Sequence, residues 1–178
     1  MKVLLLIAGV SGALAVSGEA IVCGPAARAS FTEGAPVDVF RIRNMSLPGW
    51  RIDRVEIGLA GSVGRLVFDT APGGPGRNVS QPFRALGGPA KLSSQPQVPD
   101  GSERLLLAFD SFPEGMDFEF TIDMDDRISG YAGTSVSGSE VQGAAITVTF
   151  VDETGAKAEH VGLFDTAGQA FAAAACLS

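Results

Sequence analysis

Every second side chain from Phe118 to Met124 is large and apolar. Phe118, Phe120, Ile122 and Met124 alternate with Asp117, Glu119, Thr121 and Asp123. Successive side chains of a strand point to opposite faces, so this pattern suits an extended chain with one face in a core and one in water. The same alternation recurs in Phe40 and Ile42 against Arg41 and Arg43, and in Ile146, Val148 and Phe150 against Thr147 and Thr149. Trp50 and Ile52, then Val55, Ile57 and Leu59, alternate with a phase shift at Asp53-Arg54, which predicts a β-bulge. Leu66 to Phe68 reads as a run buried on both sides, and Val161 and Leu163 as a strand after the turn Asp152 to Gly155. With 23 Gly and 10 Pro among 178 residues, long helices are disfavoured. The expectation is all-β: a single antiparallel β-sandwich, jelly-roll or Ig-like, of about eight to ten short strands. Only Ala167 to Ala175 reads as helical. The Pro- and Gly-rich stretch Pro72 to Pro99 reads as a surface excursion of the same domain.

The first twenty residues have the pattern of a secretory signal peptide. Lys2 precedes the apolar run Val3 to Val10, and small residues allow cleavage after Ala15 or Ala20. The run is too short to cross a membrane. The expected organisation is therefore a signal peptide over 1–20 and one β-sandwich domain over 21–178, secreted or periplasmic and without a transmembrane anchor. In such a compartment Cys23 and Cys176, near opposite ends of the mature chain, are expected to form a disulfide.

The net charge of −7 divides unevenly. From Ile21 to Pro99 nine basic residues face five acidic ones, whereas from Asp100 to Ser178 three basic residues face fourteen acidic ones. This balance argues against nucleic acid and against anionic membranes as partners. Arg41, Arg43, Arg51 and Arg54 are expected to pair with the acidic half of their own domain.

The side-chain inventory argues against most enzyme classes. One His, His160, cannot furnish a three-histidine zinc site. No Gly-x-Ser-x-Gly elbow surrounds a serine, and no phosphate-binding glycine loop precedes a Lys-Ser/Thr pair. The expected reading is a non-enzyme. A two-carboxylate glycoside hydrolase is the remaining catalytic alternative.

The strongest acidic cluster is Asp123-Met124-Asp125-Asp126. Asp123 and Asp125 project to one side of a continuing strand, and Asp126 folds back if the strand stops there. Calcium takes six to eight hard oxygen ligands, so Asp123, Asp125 and Asp126, with Glu140 and Asp100 as more distant contributors, form a candidate calcium site. The alternative is a solvated strand end partly neutralised by Arg127. Phe68-Asp69-Thr70, Phe109-Asp110-Ser111 and Phe164-Asp165-Thr166 share a motif. It reads either as strand-exit turn chemistry or as three carboxylates gathered at one rim. Trp50 and Tyr131 are the aromatic side chains with polar edges suited to a sugar ring, giving a cation-independent glycan-binding alternative.

Several segments in order along the chain carry a resemblance. They are Glu33-Gly34-Ala35-Pro36 with Asp38, Phe40, Ile42 and Asn44; Gly61-Ser62 with Gly64, Leu66, Phe68 and Asp69; and Gln81-Pro82-Phe83. Asp100-Gly101, Phe120 to Asp123 with Asp125-Asp126, and Ser135 to Glu140 with Gly143-Ala144 follow. Together they resemble the bacterial secreted proteins named after the core protein of the marine sponge aggregation factor. That resemblance implies calcium-dependent, carbohydrate-linked adhesion to a cell-surface glycan or protein. It transfers most directly to Asp123, Asp125 and Asp126.

Overall fold

The computed structural model describes residues 23–34, 38–74, 80–126 and 136–174. The segment 1–20 read as a signal peptide, Tyr131 and Cys176 lie outside them. Among the described residues no helix is long and apolar enough to cross a membrane.

The alternating segments form antiparallel sheets that pack face to face. One sheet has the order β12-β1-β2-β8-β5, from Gln169–Ala173, Ala26–Thr32, Val39–Asn44, Asp117–Thr121 and Arg84–Gly87. The other has the order β11-β10-β3-β7-β6, from Lys157–Leu163, Ala145–Asp152, Trp50–Gly58, Arg104–Ser111 and Lys91–Leu92. A two-stranded sheet, β4 (Leu66–Phe68) with β9 (Met124–Asp126), completes the β structure. The architecture is the expected all-β sandwich.

The period-two pattern explains the register. Between β2 and β8, Phe40 faces Phe120 and Ile42 faces Phe118 on the inner side, while Arg41 faces Glu119 and Arg43 faces Asp117 outside. Both outer pairs are ion pairs, Arg43 to Asp117 at 3.0 Å, so these two arginines do meet the acidic half of the chain. Arg51 instead pairs with the nearby Asp53 at 3.3 Å. The phase shift at Asp53-Arg54 is a bulge: Ile52 lies opposite Phe150 and Arg54 opposite Thr149, leaving Asp53 as the extra residue.

The core between the sheets is rich in phenylalanine. The Phe120 ring stacks on Phe40 and Phe83 with centroids 5.2 and 5.1 Å away, and Phe118 meets Phe109 edge-on at 5.1 Å. Each such ring stabilises the fold by roughly 1.5–3 kcal/mol through burial. Asn44 is wholly buried among them; its Nδ2 donates to the carbonyls of Phe112 and Trp50, and its Oδ1 accepts from Ser46 N.

One expectation is overturned. Residues 169–173 form β12 rather than a helix, hydrogen-bonded to β1 with Ala26 opposite Ala173. Ala170 and Ala172 point into the core beside the alanines of β1. Pairing with an existing sheet edge thus overrides alanine's helical preference. At this side the two sheets touch: a Cβ on Gly162 of β11 would lie 2.6 Å from the Phe171 carbonyl oxygen of β12. Only glycine allows that approach.

Candidate functional site

Aspartates from separate stretches of chain meet beside the β4–β9 sheet. Val67 pairs with Asp125 and Phe68 with Met124, and the Asp69 N–H to Asp123 carbonyl bond of 3.0 Å extends the ladder by one pair. Residues opposite each other in antiparallel strands share a face, so Asp69, Asp123 and Asp125 lie on one side while Phe68 and Met124 fill the core on the other. Gln81 bolts this end together, its N–H donating to the Asp69 carbonyl and its carbonyl accepting from Asp123 N, both at 3.1 Å.

Asp100 approaches from the turn before β7. Its Oδ1 accepts from the N–H groups of Thr70 and Ala71 at 2.8 and 3.1 Å, and its carboxyl is hydrogen-bonded to Asp69. The 70–74 turn wraps so closely that a Cβ on Gly74 would collide with Asp100 Oδ2. Asp38, buried just before β2, accepts from Gly34 N at 3.3 Å and faces Asp123 and Asp125 electrostatically.

Crowding of like charges away from water disfavours ionisation here. Burial, opposed by the Gly34 N–H bond and reinforced by Asp123, Glu33 and Asp125, raises Asp38 to about 7. Burial and the charges of Asp125 and Asp69 raise Asp123 to about 7. Asp69, buried and hydrogen-bonded to Asp125 and Asp100, is raised to about 6. Asp100 moves the other way, held below the ordinary carboxylate range chiefly by the Thr70 N–H. Asp69 is only 3% exposed, and its Oδ1 is buried without a hydrogen-bond partner. The oxygens are not gathered into a ready-made coordination shell: among the described residues, no group of three or more His, Cys, Asp or Glu has a metal-holding arrangement.

The structure brings together Asp123 and Asp125 of the expected set, adds Asp38, Asp69 and Asp100, and does not place Asp126 or Glu140 with them. The strand continues through Asp126, so its side chain alternates to the face of Met124 rather than folding back. Glu140 is engaged at the short helix α1 (Gly138–Val141), where its Oε2 accepts from the N–H and hydroxyl of Ser137 at 2.7 and 2.8 Å. This is a helix-capping role.

The threefold Phe-Asp-Thr/Ser motif does not form one rim. Asp165 serves its own turn, its Oδ1 accepting from Ala167 N and Gln169 N. Asp110 is exposed within β7, and Asp69 joins the cluster.

Trp50 opens β3 and packs half-buried against the core. With Gly49, Arg51, Glu114, Glu153 and Thr154 it lines an open depression of about 590 Å³. Ile52 N donates to the Phe112 carbonyl at one end of β7, while Gly58 pairs with Arg104 at the other, beside the Asp100 turn. The depression and the aspartates therefore lie at opposite ends of β7, roughly 25 Å apart at strand rise. Tyr131, the second aromatic candidate, lies outside the described residues. His160 sits on edge strand β11 against the Phe150 ring at 5.8 Å, with Nε2 buried and without a hydrogen-bond partner.

No protein-family model matches the chain, and no curated protein matches it.

Proposed function

We propose that the protein is a secreted or periplasmic binding module for a cell-surface glycan or protein, of the adhesive kind its resemblance to aggregation factor core proteins implies, and that calcium organises its binding end. The observation carrying this reading is the convergence of Asp69, Asp100, Asp123 and Asp125 from distant parts of the sequence, with the neighbouring Asp38 also buried. Like charges so gathered cost stability, and a divalent cation is the simplest group that offsets the cost. Extracellular calcium modules bind at roughly 0.1–1 mM. With a dissociation constant near 0.1 mM, 5 mM calcium stabilises the folded chain by about 2 kcal/mol, which raises the melting temperature by roughly 4–8 °C. Calorimetric titration and melting curves with and without calcium test this. No heat and no rise in melting temperature defeats the calcium reading.

A second reading rests on the Trp50 depression, whose aromatic face and polar rim suit a sugar ring. Because it lies at the other end of β7 from the aspartates, its binding is expected to be independent of cation. On a glycan array, signals that survive chelator and fall at least tenfold in Trp50→Ala support it. Signals abolished by chelator point instead to the calcium end.

A further inference from the structure

We propose that the Trp50 depression selects glycans carrying free amino groups, with the ammonium of a hexosamine unit held by Glu114 and Glu153 beside the indole. The inference rests on the glycan reading of this depression given above and names its ligand class. Three pieces of chain form the walls: the start of β3, the β10–β11 turn and the β7–β8 turn. Asp152 lies opposite Trp50 in the β10–β3 ladder. Both therefore share a face with the core residues Phe150 and Ile52, where the space between the sheets opens to water. The turn after Asp152 is closed by its own backbone, Gly155 N donating to the Asp152 carbonyl and Asp152 N to the Ala156 carbonyl, both at 3.0 Å. The β7–β8 turn is tied to Asn44, whose carbonyl accepts from Gly115 N at 2.8 Å and whose N–H donates to the Met116 carbonyl at 3.0 Å. The walls are thus preformed, as ligand pockets usually are.

The charges around the indole do not balance. Arg51, the basic residue in the lining, is already paired with Asp53 at 3.3 Å. Asp152 is taken up by its turn: its Oδ1 accepts from Thr154 Oγ1, Thr154 N and Ala156 N at 2.7–2.9 Å. These donors, the Thr154 hydroxyl foremost, hold it below the ordinary carboxylate range. Glu114 and Glu153 have no such engagement, since among the described residues neither side chain has an ion-pair or hydrogen-bond partner. Glu153 is nonetheless kept beside the indole, because its carboxyl lies over Gly49: a Cβ there would stand 3.9 Å from Glu153 Cδ and Oε1. Carboxylates around an aromatic face, with the local guanidinium neutralised, attract positive charge, and tryptophan is the best of the aromatic faces for a cation. The volume, about 590 Å³, is that of a small-molecule pocket rather than a slot for one lysine chain. An amino sugar combines both requirements, an apolar ring face for Trp50 and an ammonium for the glutamates. An N-acetyl group keeps the ring and removes the charge.

The test is calorimetric titration of the full chain, in chelator, with a glucosamine tetramer, an N-acetylglucosamine tetramer and tetralysine. The proteins are the native sequence, Trp50→Ala, and the double variant Glu114→Gln with Glu153→Gln. Neither glutamate side chain has a partner to lose, so the double variant is expected to melt with the native chain; a cooperative melt certifies the fold of Trp50→Ala. An exposed ion pair changes affinity by only about one- to fivefold, so both carboxylates are removed together. The native chain is expected to bind the glucosamine tetramer about tenfold more tightly than the acetylated one. That preference should vanish in the double variant, with affinity for the acetylated tetramer unchanged, while Trp50→Ala weakens both sugars. Equal or tighter binding of the acetylated tetramer by the native chain, or a preference retained in the double variant, overturns the amino-sugar assignment. The glycan reading then stands if Trp50→Ala still weakens binding. Sugar binding indifferent to Trp50→Ala defeats the assignment and the glycan reading of the depression together. Tetralysine bound as tightly as the glucosamine tetramer assigns the depression to a basic peptide and overturns the sugar. Binding of none of the three probes also overturns the proposal, leaving the glycan array to decide the broader reading on other sugars.

Discussion

Replacing Cys23 and Cys176 with serine is expected to lower the melting temperature by about 10 °C, the largest single loss anticipated here. The argument is one of compartment and of chain ends. The two cysteines make an even count near opposite ends of the sequence, and the β1–β12 ladder, with Ala26 opposite Ala173, joins the first and last described strands. Cys176 lies outside the described residues, and no described cysteine is a free thiol. We propose the Cys23–Cys176 bridge on this basis. It closes a loop of about 150 residues, for which chain entropy gives about 5 kcal/mol, and removal of native disulfides typically costs 2–5 kcal/mol. Intact mass without reductant is expected to be about 2 Da below the reduced mass. Two alkylatable thiols in the denatured, unreduced protein would refute the bridge.

In chelator, raising the pH from 5 to 8 is expected to destabilise the protein by about 3 kcal/mol, a fall of roughly 6–12 °C in melting temperature. Folding raises Asp38 from 3.8 to about 7, Asp123 to about 7 and Asp69 to about 6. Between the unfolded and folded values the native state holds more protons than the unfolded chain, so stability falls as pH rises. The contribution is complete below about pH 4 and gone above about pH 7. Asp38 dominates because it is buried; Asp123 is only partly buried and partly screened by water. Asp100 and Asp152, held low by backbone and hydroxyl donors, act with the opposite sign, but only at pH values below this window. Asp38→Asn, which stays neutral and can still accept from Gly34 N, is expected to flatten the profile substantially. A melting temperature that rises from pH 5 to 8 in chelator would contradict the account.

The strands were legible because their signal is local. Phe118 to Met124 needs no distant partner to declare a period of two, and the slip at Asp53 announced its bulge within the same strand. The C-terminal strand was not legible, since an alanine-rich segment prefers a helix unless an edge such as that of β1 is waiting for it. The candidate site divides in the same way. Asp123 and Asp125 followed from alternation along one strand, whereas Asp126, expected to fold back, lies within β9, because nothing nearby indicates that the strand runs one residue further. Asp38, Asp69 and Asp100 reach the site through pairings between segments tens of residues apart. The only local trace of that convergence was the Phe-Asp-Thr motif at Asp69, and Asp110 and Asp165 carry the same motif to different ends.

The contact of Gly162 with β12 also governs how copies of this protein can meet. A sandwich leaves exposed strand edges, each a template on which another chain can add a strand. Here β11 and β12 lie against each other, which shields that side. The opposite side ends in β5 and β6, four and two residues long, carrying Arg84 and Lys91. Short, basic edges are poor templates. At high concentration the chain is thereby steered away from strand-by-strand polymerisation, and its contacts fall to side chains and loops.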